Sequence, residues 1–201
     1  MSKDDIPVII FCGGKATRFN NGKPGPLKPM IKVNGITMLE RIMSLFYTKG
    51  FNNFILLSGY KHKKLHNYFK LKKKSKIKVK IYFTGVNSST AERLFKVKHL
   101  IKNFFFLTYG DSLTNFNPVK ALKKKNNNNM IVSVYKKKIN YGVFKTKENK
   151  IKNIYQKNFI ANINAGFYVG DKKIFKYLKS KSKNLEGSVL NNFIKKYNLE
   201  A

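Results

Sequence analysis

Gly13-Gly14-Lys15-Ala16-Thr17-Arg18-Phe19 follows directly on the apolar run Pro7 to Cys12, and Pro26-Leu27-Lys28-Pro29-Met30 comes shortly after it. Paired glycines at the end of an apolar strand let backbone N–H groups approach an anion. Thr17 adds a hydroxyl, and Arg18 and Lys28 supply the cations that a triphosphate requires. The pattern describes a phosphate cradle, and the chemistry it suggests is nucleotide handling. Nucleotidyl transfer to a phosphorylated acceptor needs charge neutralisation on the triphosphate, a divalent metal at the α-phosphate, and a cation holding the attacking phosphate in line. Arg18 and Lys28 are candidates for the first, Asp111, one of four aspartates, for the second, and Lys157 in Tyr155-Gln156-Lys157 for the third. A lone aspartate is as often a loop or helix-cap carboxylate. Asp111 follows the apolar run Phe104 to Tyr109, and ligands of open α/β sheets bind at the carboxyl ends of such strands.

The elements that must position these groups alternate. Pro7 to Cys12 reads as a buried strand. Thr37 to Lys49 carries Met38, Leu39, Ile42, Leu45 and Phe46 on one helical face and stops at Gly50. Phe54 to Leu57 is a second strand, His62 to Lys70 a short helix, Ile77 to Phe83 a strand, Thr90 to Lys102 a helix of less regular spacing, and Phe104 to Tyr109 a strand ending at Gly110-Asp111. This βαβαβα order predicts a mostly parallel sheet with helices on both faces. After a short helix around Pro118 to Lys124 and the polar turn Asn126 to Asn129, close-set strands are expected at Ile131 to Tyr135, Gly142 to Lys145, Ile151 to Tyr155 and Ile163 to Val169. Their spacing suits an antiparallel excursion that presents an acceptor-binding surface. Lys172 to Lys179 and Ser188 to Tyr197 read as closing helices.

Composition narrows the classes. At 201 residues and 42% hydrophobic, the chain can bury one sizeable core. A single domain spanning 1–201 is expected, with a nucleotide-binding half over 1–125 and an acceptor-binding half over 126–201. No run approaches the roughly 18 apolar residues of a membrane span, and the N-terminus lacks a cleavage pattern, so the expected location is cytoplasmic and no membrane partner is expected. Cys12 is the single cysteine, which excludes an intrachain disulfide and a cysteine zinc cluster; it reads as a small core residue. The formal net charge of +33 invites a nucleic-acid reading, but only Arg18, Arg41 and Arg93 are arginines. The surplus is scattered lysine, including runs at 72–74, 123–125 and 136–138, which is the pattern of solvated faces rather than of a base-reading patch. Salt-sensitive, non-specific polyanion binding is expected, and no specific nucleic-acid partner. The phenylalanines and tyrosines of the second half would serve a homo-oligomer interface as readily as a core.

The chain resembles the sugar-1-phosphate nucleotidylyltransferase family. The resemblance runs in order through Gly13 to Met30, Gly59-Tyr60-Lys61, Thr84-Gly85 with Thr90 to Leu94, Thr108-Tyr109-Gly110-Asp111, Tyr141-Gly142, Ile163-Asn164-Ala165-Gly166-Phe167 and Leu185-Glu186, almost the whole chain. Thr84-Gly85 followed by Arg93-Leu94 and Thr-Tyr-Gly-Asp points to the cytidylyl branch. The resemblance implies a three-layer α/β/α Rossmann-like, GT-A-like nucleotidyltransferase fold with a mixed, mostly parallel central sheet and a small antiparallel excursion. The activity it implies is Mg²⁺-dependent transfer of a nucleoside monophosphate, CMP from CTP, to a sugar 1-phosphate such as glucose 1-phosphate, with pyrophosphate leaving. Residue by residue, it places Gly13, Gly14, Thr17 and Arg18 on the nucleotide phosphates, Lys28 at the reacting phosphates, and Thr90 near the base, with Tyr109 and Gly110 on the nucleotide side. Asp111 would bind Mg²⁺. Tyr141, Gly142, Lys157, Asn164, Gly166 and Glu186 would form the acceptor side, with Lys157 on the phosphate and Glu186 accepting bonds from sugar hydroxyls.

Three positions depart from the family pattern. Ala16 stands where glycine is usual, so the loop must avoid positive φ or carry strain of order 1 kcal/mol. Glu92 stands where a small residue is usual, and its carboxylate would repel phosphates unless it points away or meets a lysine. A second metal-binding aspartate of the family lies in a strand–turn segment beyond the position of Ala201. Another small phosphate or phosphonate acceptor fits the same residues. A nucleotide-binding protein without turnover, a sensor or assembly subunit, is the competing class.

Overall fold

Val8–Phe11 (β1) is buried along its whole length, as a strand covered on both faces must be. The structure is a computed structural model that describes residues 2–17, 20–71, 77–148, 150–179, 181–182 and 184–201, and for 139–146 and 153–159 the backbone alone. Lys32–Val33 (β2) and Ile36–Thr37 (β3) form a separate small hairpin. The sequence reading does not anticipate it, although Asn34-Gly35, with φ of 50° and 77°, is the turn pair that favours such hairpins. Met38–Tyr47 (α1) begins on a reciprocal cap, in which Thr37 Oγ1 accepts from the Glu40 N–H and the Glu40 carboxylate accepts from the Thr37 N–H. It buries Leu39, Ile42, Met43 and Phe46, and the chain turns out at Gly50, whose φ is 86°.

Asn53–Ser58 (β4), His62–Leu71 (α2), Lys78–Phe83 (β5), Thr90–Lys96 (α3) and Phe104–Tyr109 (β6) follow. β1 pairs in parallel with β4 and β6, and β4 with β5. α3 is shorter than its apolar spacing suggests, because Val97 leaves helical geometry (φ −108°, ψ 11°) and a 3-10 turn, Lys98–Leu100, takes over. Pro118–Lys124 (α4) matches the expected span and is capped by Asn117.

The second half differs from the expected four short strands. Asn129–Lys147 (β7) and Lys150–Asp171 (β8) form one long antiparallel hairpin, with a first pair at Ile131↔Val169 and a last at Lys147↔Lys150. One expected strand end, at Lys145, falls where the ladder bulges, at Lys145/Thr146; the polar stretch after Tyr135 is carried through without a break, because Lys136 to Lys138 are exposed, and the other bulge, Val132/Val134, lies inside an expected strand. The closing region is also less helical than expected: a 3-10 segment at Lys172–Lys176, a π-type turn at Leu185–Val189, and only Leu190–Phe193 (α5) as α-helix. An unanticipated strand, Asn198–Glu200 (β9), pairs in parallel with β7.

The resulting seven-stranded sheet runs β5-β4-β1-β6-β8-β7-β9. β8 is antiparallel to β6 and to β7, so the sheet is mixed and mostly parallel. One face packs Val8, Ile10, Phe54, Leu56 and Phe106 under α1, α2 and α4. The other packs Ile9, Phe11, Ile55, Leu57 and Phe105 under α3 and α5. This is the expected three-layer arrangement. Lys125 and Asp171 form an ion pair of 3.0 Å with side chains 0% and 6% exposed, fastening the end of α4 to the end of β8. Among the described residues, no helix is long and apolar enough to cross a membrane.

Candidate active site

The carboxyl ends of β1 and β6 and the segment after β5 meet around a cavity of about 470 Å³. Gly13, Gly14, Thr17, Lys28, Thr90, Tyr109 and Asp111 all border it, as do Ala16, Arg93 and Asn184. Seven of the residues singled out for the nucleotide side are therefore brought together. Gly110 lies beneath: a Cβ there would come within 2.7 Å of Pro29 Cγ and 2.9 Å of the Phe11 carbonyl oxygen, so the strand end and the Lys28 turn can close only over a glycine. Arg18 lies outside the described residues.

The two glycines of the first loop have different surroundings. Gly13 is buried, and a Cβ on it would lie 2.3 Å from Arg93 Nη1 and 2.7 Å from the Gly59 nitrogen. Gly14 is exposed, and a Cβ on it would meet nothing within 4 Å. Gly13 thus belongs to the floor of the cavity and Gly14 to its open side. Ala16 adopts positive φ, 55°, so the loop carries the strain rather than avoiding it. The loop closes on itself through Gly25 N to the Lys15 carbonyl at 2.8 Å and Gly22 N to the Thr17 carbonyl at 2.9 Å.

Arg93 is the residue whose role the sequence reading missed. It is 4% exposed. Its guanidinium donates to the Ser58 carbonyl at 2.9 Å, Thr84 Oγ1 at 2.6 Å and the Gly13 carbonyl at 3.1 Å, tying together the segments that follow β1, β4 and β5. Burial lowers its pKa, an effect partly offset by the Glu92 carboxylate. Cys12 borders the same cavity and is 1% exposed. Burial pushes its thiol strongly up, with Asp111 adding to the shift, so the sulfur stays protonated. The advance signals for Arg93 were its rarity, as one of three arginines among 42 cationic residues, and its place in the Arg93-Leu94 signature; neither shows that it is buried beneath the loop.

At the mouth, Lys28 Nζ lies 3.2 Å from Asp111 Oδ2, both side chains about one-third exposed at 34% and 37%. Glu92 does not face the cavity as an unpaired charge. It completes the reciprocal cap of α3, its carboxylate accepting from the Ser89 N–H at 2.7 Å. Thr90 borders the cavity, and its hydroxyl accepts from the Leu185 N–H at 2.9 Å, linking α3 to the segment that carries Glu186.

The acceptor-side candidates form a second cluster. Gly166, with φ of 81°, packs against Tyr109, so the clusters touch. Asn164 Oδ1 accepts from the Gly166 N–H at 2.8 Å, Asn164 Nδ2 lies 2.5 Å from the Tyr168 hydroxyl, and that hydroxyl lies 3.5 Å from Glu186 Oε1. Burial of the Glu186 carboxyl raises its pKa, although the residue as a whole is exposed. Tyr141, Gly142 and Lys157 lie in the hairpin, with pairs Tyr141↔Lys157 and Gly142↔Gln156, but their side chains are outside the described residues. No group of three or more His, Cys, Asp or Glu suited to a metal occurs among the described residues.

The sequence pattern of the nucleotidyl transferase family matches residues 7–200. The chain belongs to this family. It is 30% identical over 197 residues to a probable glucose-1-phosphate cytidylyltransferase of Bacillus subtilis (strain 168), covering 86% of this chain and 78% of that protein. It is also 30% identical over 178 residues to the bifunctional protein GlmU of Methanocaldococcus jannaschii, covering 87% of this chain and 42% of that one. Among solved structures, HddC from Yersinia pseudotuberculosis superposes with a TM-score of 0.73 at 21% identity, over 97% of this chain and 90% of that one. The inositol-1-phosphate CTP transferase from T. maritima superposes at 0.64 and 17% identity, over 96% and 83%. These two establish the fold.

Proposed function

We propose that this nucleotidyl transferase moves CMP from CTP to a sugar 1-phosphate, glucose 1-phosphate being the leading acceptor. An oxygen of the acceptor phosphate forms the new bond to the α-phosphorus. The bond from that phosphorus to its bridging oxygen breaks, and pyrophosphate leaves with the electron pair. The observation that carries this reading is the Lys28–Asp111 pair at the mouth of a cavity framed by Gly13 and Gly14. A lysine and a carboxylate side by side offer a cation for the triphosphate and an oxygen donor for a divalent ion.

The donor set suits Mg²⁺, which is commonly held by one or two carboxylates with the remaining positions filled by substrate phosphates and water. Asp111 is the residue that would hold it. When bound, the ion would neutralise charge that builds up as pyrophosphate departs. The chain's own groups do the rest. The open face of Gly14 leaves room for a phosphate oxygen against backbone, and Lys28 moves from Asp111 to the reacting phosphates. Arg18 is assigned to the triphosphate and Lys157 to the acceptor phosphate. Asn164, Gly166 and Glu186 face the acceptor, Glu186 accepting hydrogen bonds from its hydroxyls. The choice of CTP rests on the Bacillus subtilis relative and on the Thr84-Gly85, Arg93-Leu94 and Thr108-Tyr109-Gly110-Asp111 signature.

The test is pyrophosphate release from each NTP with Mg²⁺ across a panel of sugar 1-phosphates, other small phosphates and phosphonates. CTP with glucose 1-phosphate is expected to turn over fastest. Another pair turning over faster corrects the substrate assignment. CTP binding by calorimetry with no turnover on any acceptor overturns the catalytic reading.

A further inference from the structure

Tyr168 belongs to none of the groups so far given a role, yet its hydroxyl sits between two of them. The side chain is 1% exposed, packed in the core beside Ile9 and Leu107, and only its oxygen reaches the acceptor cluster. Hydrogen-bond polarity along this cluster is forced. The Gly166 N–H can only donate, so Asn164 presents its Oδ1 to it, at 2.8 Å. The Asn164 amide nitrogen is thereby turned to the Tyr168 oxygen, at 2.5 Å, and can only donate there. Tyr168 accepts that bond, which leaves its own proton for Glu186 Oε1, at 3.5 Å.

We infer that Tyr168 is a positioning residue for the acceptor: its hydroxyl, oriented by Asn164, aims the Glu186 carboxylate at the acceptor's hydroxyl groups. The backbone around Glu186 is held independently. The Leu185 N–H donates to Thr90 Oγ1, and Gly187 has the non-helical angles φ −85° and ψ −122° within the π-type turn, an irregularity often found at functional sites. With the main chain held at these points, Tyr168 selects the direction of the carboxylate. Hydrogen bonds at catalytic sites are often this long without substrate and tighten when substrate completes the site. The acceptor class that follows is a hydroxyl-bearing phosphate, because an ionised carboxylate oriented by one donor has lone pairs left for hydroxyl donors.

This inference rests on the proposed function, and two measurements separate their failures. In steady-state kinetics, Tyr168→Phe keeps the ring and removes the hydroxyl. It is expected to raise the KM for glucose 1-phosphate about tenfold, as expected for loss of one hydrogen bond to a charged group, while the KM for CTP stays within about twofold. Adding Tyr168→Phe to Glu186→Gln is expected to bring little further loss, because both act on one interaction. An unchanged acceptor KM, or fully additive losses in the double variant, overturns the inference. The second measurement needs no turnover. The chain has five glutamates, Glu40, Glu92, Glu148, Glu186 and Glu200, so a ¹³C-labelled Glu186 carboxyl can be assigned by its loss in Glu186→Gln and titrated by NMR. Tyr168→Phe removes a donor to the ionised form and should shift the midpoint upward. A midpoint identical to the parent's overturns the inference even if no acceptor is turned over.

Discussion

The nucleotide side and the acceptor side of this site are built by different means. The first is a junction of backbone: three segments leaving parallel strands are drawn onto one buried guanidinium, Arg93, with glycines at 13 and 59 because no side chain fits beside it. The second is a short chain of side-chain hydrogen bonds, Asn164 to Tyr168 to Glu186, presented by an antiparallel strand and a π-type turn. A junction of that kind couples the site to the stability of the fold. A side-chain relay acts chiefly on the direction of one carboxylate, and removing its hydroxyl leaves the Tyr168 ring in the core.

The largest expected effect tests which side carries the reacting centre. Asp111→Ala should lower turnover about 10²- to 10³-fold in a pyrophosphate-release assay, by analogy with the loss of a single transition-state contact. Turnover near that of the parent protein would remove Asp111 from the metal position. Next in size, Gly13→Ala should cost about 3 kcal/mol in denaturant unfolding, because the new Cβ meets Arg93 and the Gly59 backbone. Its neighbour should behave oppositely: Gly14→Ala should change stability by no more than about 0.5 kcal/mol and yet raise the KM for CTP about tenfold, because its Cβ occupies only space left for a ligand. Equal stability losses at the two glycines would erase the distinction between floor and open side.

The smallest effect concerns pH. Glu186 has a folded-state pKa raised by burial. The folded protein therefore holds this proton more tightly than the unfolded chain does, and the ionised carboxylate costs stability above the folded pKa. That cost fades as pH falls through it towards the ordinary carboxylate range. Glu186→Gln should accordingly melt slightly higher than the parent at neutral pH, with the two converging near pH 4 in thermal scans, while its acceptor KM rises. A difference that persists unchanged at low pH would argue against burial of the charge as its cause.

The parallel half was legible because each β/α unit must bury one strand and one helical stripe, and those periods are written in residues such as Leu39, Ile42 and Phe46. The β2–β3 hairpin was legible in principle from Asn34-Gly35 and was passed over. The β7–β8 hairpin was misread as four strands because apolar alternation lapses where a strand is not buried, as at exposed Lys136, Lys137 and Lys138. β9 is three residues long, too short for a periodic signal. Among the site residues, Glu92 was read as a charge and not as a cap. The Ser89-Thr90-Ala91-Glu92 spacing at the expected helix start carried the cap, and it was passed over.

By itself, the sequence determined the alternation of strands and helices, the glycine-rich loop after β1, the acid after β6 and the family, since local period and residue type carry that information. Only the tertiary structure decided that Arg93 is a strut beneath the loop, that Gly13 and Gly14 have opposite surroundings, and that Tyr168 joins Asn164 to Glu186. The first two depend on groups far apart in the chain, and the third on a strand meeting a turn 18 residues further on. Arg93 and Gly13 lie 80 residues apart, and no local pattern can encode which distant carbonyl a buried donor must satisfy.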